Sequence, residues 1–388
     1  MNLLKKVWLK VKIIIKKIKP FPRITKYIQN GEYSLSHVSA FNYGNAGDVV
    51  LPVVLRDVFN KIIGIKKWSG IHVFTIVNKK IVSRINTTNA MVIGGGGLFL
   101  KDTNPNDLSG WQWSCSIDQL NKIDVPIIMF AVGYNRFRGQ EEFEPIFKQH
   151  LNEFVKKAIF IGIRNTGSIR KLCEYIDNEE LKSKLTFQPC MTTLISKVYP
   201  DLCNWDDKED FIAVNCAFDR EELRVNSEET LLAIARVVKN LSEYTTIKYY
   251  SHMETDKKIL KYFDKLKIPY RLLEFTTPKQ MIKAYAKPRL VIGMRGHAQM
   301  IPFGCKTPIV SIVSHDKMAW FLEDIKHKEW GVDVLESDFE EKLLISALRS
   351  FNNYKSCISD ISIQQDKLWK ITCNNLKSIN NSIKNSQN

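Results

Sequence analysis

At 388 residues the chain is too long for one ordinary hydrophobic core, and its length favours two domains. With 44% hydrophobic and 25% charged residues it is a folded globular protein rather than a disordered one, and its longest apolar stretches, such as 126–132, fall far short of the ~20 residues a membrane-spanning helix needs. The formal net charge of +16 invites a nucleic-acid reading, but over half of it comes from Lys5, Lys6, Lys10, Lys12, Lys16, Lys17, Lys19, Arg23 and Lys26, which precede the first acid, Glu32; the rest carries no nucleic-acid motif, so no nucleic-acid partner is expected.

In 1–18 the apolar residues Leu4, Val7, Trp8, Val11, Ile14, Ile15 and Ile18 recur every three or four positions, with lysines on the other face and Pro20 and Pro22 ending the pattern. A basic amphipathic helix is expected, and residues 1–19 suit peripheral contact with an anionic membrane. Packing on the body of the protein or on a second subunit is the alternative, and oligomeric state is not legible. Lysines interrupt the apolar positions and no small-residue cleavage site follows, so a cytoplasmic location at the inner face of the cell membrane is expected.

Beyond residue 30, short apolar runs alternate with amphipathic stretches, the pattern of a parallel sheet wrapped by helices. Strands are expected at 38–41, 71–76, 90–93, 127–131 and 159–163, with helices at 49–62, 143–156 and 166–175. A second series has strands near 211–215, 247–250, 270–273, 290–292 and 309–312, and helices at 228–242, 256–265, 278–285, 297–303 and 318–322. The polar stretch 201–210 is the expected linker. The reading is α/β: two Rossmann-like, doubly wound domains facing a cleft, with ligands outside the carboxyl ends of the strands. The expected organisation is 1–30 helix, 31–203 N-terminal domain (acceptor side), 204–345 C-terminal domain (donor side) and 346–388 a helical segment with a polar tail. Eight cysteines without a C-x-x-C pair or metal-like spacing are read as reduced thiols, and neither a metal site nor a cofactor is expected.

The sharpest motif is Arg295-Gly296-His297, where a buried strand gives way to a helix. Arg can hold a carboxylate or phosphate with two parallel hydrogen bonds, His moves protons near neutral pH, and a helix N-terminus attracts anions. Local capping is the bland alternative. Lys317, after the next strand, adds a second cation; His315 is as readily a solvated loop residue. In the N-terminal half, Asn45 and Asp48 stand at a glycine-containing turn, where Asp48 serves as a helix N-cap, a site residue or both. The run Gly94–Gly97 lacks the dinucleotide-binding pattern, but Gly95 and Gly96 leave exposed N–H groups and room for close approach of a ligand. Arg164 and His252 each stand at a strand end, where a structural role weighs about equally with a site role.

Taken in order, Asn42-x-Gly44-x-x-Gly47-Asp48, Gly94–Gly97, Arg164 with Ser168, His252 with Asp256, Arg295-x-His297, and Thr307-Pro308 leading to Lys317 resemble the polysaccharide pyruvyl transferase family. The resemblance covers roughly 41–322. It departs where the family often has Pro-Asp, since here Pro189 is followed by Cys190. It implies a fold like the two-domain GT-B glycosyltransferases, and transfer of pyruvate from phosphoenolpyruvate to a sugar diol, on a surface polysaccharide or its lipid-linked precursor, as a cyclic ketal with release of phosphate. His297 would be the acid and Asp48 a base or hydroxyl acceptor. Arg295, Lys317, Arg164, His252, Asn45, Gly95 and Gly96 would bind substrate. The competing functions are a nucleotide-sugar-dependent glycosyltransferase of the same fold and a catalytically idle carbohydrate- or membrane-binding relative.

Overall fold

The apolar runs become parallel strands in two sheets. A computed structural model describes residues 25–27 and 31–386, except 42–44, 204–207, 218–219, 221–222, 224–225 and 276. The basic helix expected at 1–18, as well as Asn42 and Gly44, lies outside the described residues.

The first sheet contains β1 (Thr25–Tyr27), β2 (Tyr33–Ser39), β3 (Ile65–His72), β4 (Ala90–Phe99), β5 (Ile127–Tyr134), β6 (Phe160–Ile163) and β7 (Leu185–Phe187). Their order is β1-β3-β2-β4-β5-β6-β7, parallel except for the antiparallel edge strand β1. The second sheet contains β8 (Glu209–Asn215), β9 (Thr246–Ser251), β10 (Tyr270–Glu274), β11 (Pro288–Gly293), β12 (Ile309–Val313) and β13 (Gly331–Asp333), all parallel in the order β10-β9-β8-β11-β12-β13. Strand β5 is buried at every position, because a central parallel strand is covered on both faces. The order reverses between β2 and β4 in one sheet and between β8 and β11 in the other, which opens a crevice at each carboxyl edge.

Helices α1 (Ala46–Ile62), α2 (Pro145–Lys157) and α3 (Thr166–Cys173) cover the first sheet; α4 (Ser227–Leu241), α5 (Pro278–Ala286), α6 (Gly296–Gly304), α7 (Asp316–Asp324) and α8 (Phe339–Asn352) cover the second. The 32-residue α9 (Tyr354–Asn385) then returns toward the first sheet, burying Ile361, Gln365, Leu368 and Leu376. One apolar cluster joins the two halves, bringing Leu51 and Val54 of α1 together with Met191 and Leu194, Met300 and Phe303 of α6, and Ile361 of α9. At its centre the Gln365 amide donates to the carbonyls of Thr193, Phe303 and Gly304 at 3.2, 2.7 and 3.1 Å.

Three local expectations are corrected, the first being the strand expected at 71–76, which is β3 over Ile65–His72. Helix α1 starts at Ala46, three residues before the expected start, because Asn45 rather than Asp48 caps it, its side chain accepting from Gly47 N–H. Strand β4 does not stop at residue 93 but runs through the glycines to Phe99. Gly95 and Gly96 adopt φ of +80° and +93°, which bends the strand and shifts its register against β5 after Gly96. The short helices Lys79–Asn86, Ile117–Asn121 and Glu179–Ser183 add to the expected set.

Candidate active site

The carboxyl edges of both sheets meet at one cavity of about 510 Å³. Asn45 and Asp48 follow β2, Gly96 and Gly97 belong to β4, Asn135 follows β5 and Arg164 follows β6; from the other half come His252 after β9, Arg295 and His297 after β11, and Lys317 after β12. Thus eight of the nine residues singled out from sequence reach a common space. Gly95 does not: a Cβ there would meet the Leu51 side chain at 2.6 Å, so it seats α1 on the sheet instead.

Arg295 is held before it meets any ligand. It grips Asp256 through two nitrogens, with Nε 2.9 and 3.0 Å from the carboxylate oxygens. Asp256 is fully buried and also accepts from Asn215 at 3.1 Å and from the His252 backbone N–H at 2.9 Å. This carboxylate therefore sets both Arg295 and the chain at His252 in fixed orientation. The His252 ring bonds Tyr285 through Nε2, and burial together with the nearby Arg295 and His297 pushes its proton affinity well down.

Arg164 has a different environment. Its side chain is 6% exposed, its Nε has no hydrogen-bond partner, and no acidic side chain forms an ion pair with it among the described residues. The guanidinium lies flat against Gly133, where a Cβ would stand 2.6 Å from Nη2. Burial lowers its proton affinity, the expected sign for a desolvated cation.

His297 sits in the first turn of α6. Desolvation, then the charges of Arg164 and Lys317, bring its pKa down to about 3, so the ring is neutral at pH 7 in the protein alone. Its Nε2 is 3.8 Å from the Cys190 Sγ. Cys190 is buried, and its thiol is pushed up by desolvation, so it presents a neutral S–H where a carboxylate would place a charge next to Arg164 and His297. Lys317 Nζ donates to Asn135 Oδ1 across the domain boundary at 2.6 Å, which holds the ammonium at the cavity wall. Among the described residues there is no group of three or more His, Cys, Asp or Glu placed to hold a metal ion.

A family model of polysaccharide pyruvyl transferases matches residues 2–316. The chain belongs to the polysaccharide pyruvyl transferase family. Its fold is also that of two solved structures: Anabaena HepE in complex with UDP and glucose (TM-score 0.53, 11% identity, covering 92% of this chain and 99% of that one) and S. aureus MnaA with UDP (TM-score 0.50, 10% identity, 85% and 91%). At such identities the likeness is one of fold, the GT-B arrangement of two facing Rossmann-like domains. No curated protein sequence matches the chain.

In this pyruvyl transferase relative, sequence reasoning missed Asn135, the Cys190 contact and the polar wall formed by Thr103 and Gln112. Asn135 lies just past β5, a strand-end position that the edge rule could have flagged. Gln112 belongs to a loop without periodicity, held inward by its amide on the Gly97 carbonyl at 3.0 Å, and nothing in the sequence signals it. Among the described residues no helix is long and apolar enough to cross a membrane.

Proposed function

We propose that the protein transfers pyruvate from phosphoenolpyruvate to two hydroxyls of a sugar, on a surface polysaccharide or its lipid-linked precursor. What carries the reading is the buried cation Arg164, without an acidic partner among the described residues, in one cavity with Arg295, Lys317 and the N-terminus of α6. A small donor bearing both carboxylate and phosphate is the anion that such a set suits.

The chemistry follows from the same groups. One hydroxyl adds to C2 of the donor as the methylene carbon takes a proton; phosphate then leaves and the second hydroxyl closes the ketal. Its proton departs with the phosphate, so the products are a pyruvate ketal and hydrogen phosphate. His297 is the proton donor to the methylene, and Asp48, across the cavity in the first turn of α1, accepts from the attacking hydroxyl. The depressed pKa of His297 fits this role only with donor bound: the incoming negative charge offsets Arg164 and Lys317, so the ring can hold the proton it must deliver. Arg164, Arg295 and Lys317 stabilise charge on the departing phosphate.

The test is incubation with phosphoenolpyruvate and a panel of glycosides and lipid-linked sugars, read by phosphate release and by mass spectrometry for pyruvate addition. Release of nucleoside diphosphate from a nucleotide sugar, with no pyruvate added to any acceptor, would replace this reading by a glycosyltransferase one. The basic segment 1–19 supports delivery of the enzyme to an anionic membrane at the cytoplasmic face. Removal of residues 1–20 should then reduce sedimentation with anionic vesicles while activity on a soluble acceptor persists; unchanged sedimentation overturns that part.

A further inference from the structure

We infer that a second, apolar subsite adjoins the polar cavity and takes an apolar aglycone carried by the acceptor sugar; this rests on the transferase reading above and adds what the acceptor must carry. A cavity of about 160 Å³ lies on the other side of Phe137, and Phe137 and Arg220 line both spaces. Its walls include Leu223, Thr230, Met294, Val334 and Leu335, and most of its exposed lining is carbon.

The partition between the two spaces is fixed from both halves of the molecule. The Arg220 guanidinium lies over the Phe137 ring at 4.1 Å and is held by Asp102 through two contacts of 2.6 Å. The next residue along from Phe137, Arg138, grips Asp333 at 2.9 and 2.7 Å and Asp316 at 2.9 Å. The apolar lobe is thus built by the loop after β5 on one side and the ends of β11 and β13 on the other. At its rim Leu335 is 63% exposed. A large apolar side chain kept in water at the mouth of a carbon-lined pocket becomes buried when an apolar group enters.

Geometry selects the occupant. A sugar presenting its diol to Asp48 and His297 directs its remaining substituent away from them, and the polar cavity borders the apolar lobe at Phe137 and Arg220, which line both spaces. The volume suits a single ring or a short branched chain. A free sugar leaves the lobe wetted, whereas an aryl or alkyl aglycone displaces that water. The gain expected for one such group is roughly tenfold in affinity.

The experiment compares methyl and p-nitrophenyl glycosides of one accepted sugar, with wild type, Leu335→Asp and Thr230→Trp, the latter filling the lobe from the first turn of α4. The KM for the aryl glycoside is expected about tenfold below that for the methyl glycoside in wild type. Both variants should bring the two KM values together, leaving kcat and the methyl KM unchanged. Equal KM values in wild type, or an aryl preference that survives both variants, would overturn the inference. Calorimetric titration of the aryl glycoside without phosphoenolpyruvate reads the subsite independently of the chemistry. Aryl binding lost in the variants, with no ketal formed on any acceptor, keeps the subsite and rejects the transferase reading; no aryl binding rejects the subsite. Uridine diphosphate binding that competes with the aryl glycoside and is lost in Thr230→Trp would make the lobe a nucleotide pocket and also overturn the inference.

Discussion

Gly47 and His297 touch across the domain boundary: a Cβ on residue 47 would stand 2.0 Å from Nδ1 of the His297 ring. The first turn of α1 therefore forms one wall of the imidazole's seat, and only a residue without a side chain permits it. Gly47→Ala should lower kcat/KM for pyruvyl transfer about 100-fold, since a displacement of ~1 Å at a proton-transfer group costs on that order. Alanine also suits a helical position better than glycine. The melting temperature should consequently move little, and a parallel collapse of stability and activity would contradict this account.

Arg164 offers a prediction in which stability and function move oppositely. Its guanidinium is desolvated without an acidic partner among the described residues, so it costs the protein free energy in the absence of an anion. Arg164→Met removes that cost and should raise the urea midpoint, by about 1–3 kcal/mol of stability. The same change should raise the KM for phosphoenolpyruvate by at least tenfold. Urea unfolding and steady-state kinetics on the one variant check both directions.

His297 should report donor binding. In the protein alone its pKa lies at about 3, so its ring resonances should not titrate between pH 5 and 8. Saturating phosphoenolpyruvate brings negative charge beside Arg164 and Lys317 and should move the titration upward into that range. A ring that remains neutral at pH 6 with donor bound would remove His297 from the proton-donor role.

Asp324 ties the domains together in a pH-dependent way. Its carboxylate, on α7, accepts from the N–H and hydroxyl of Thr166 at the start of α3. Burial raises its pKa to about 6, although the two Thr166 bonds oppose the shift. A folded-state pKa above the unfolded value means that the contribution is fully present below about pH 4 and is lost as pH rises through 6. Relative to Asp324→Asn, wild type should therefore gain up to about 3 kcal/mol between pH 7 and pH 4. Both proteins carry the same buried histidines, such as His150 with its pKa pushed down to about 4 by burial, so acid destabilisation from these cancels in the difference. Paired urea midpoints across that pH range measure it.

Gln365 tests how far the halves depend on α9. Its amide supplies three backbone carbonyls drawn from both domains. Gln365→Leu leaves them without that donor in a buried setting and should cost about 2–3 kcal/mol, seen as a lower melting temperature with the KM for donor nearly unchanged.

Much of this architecture was legible because its causes are local. Alternating apolar runs and amphipathic stretches determine a parallel α/β protein, and the edge rule then places Arg295, His297, Lys317 and Arg164 at strand ends before any contact is known. Helix starts and the glycine strand were misplaced by a few residues. Caps and bulges depend on single side chains such as Asn45 and on positive φ at Gly95 and Gly96, which periodicity does not report. What each site residue does was left to the tertiary structure. Arg295 and Arg164 are alike as residues at strand tips, yet one is neutralised by Asp256 and the other is not, because burial and pairing are set by groups far away in the chain. The closeness of Cys190 to His297 spans 107 positions, and Gly47 meets that ring only once the two sheets face each other. Sequence by itself determined which groups stand at the strand edges; which of them carry uncompensated charge was decided only where the two edges met.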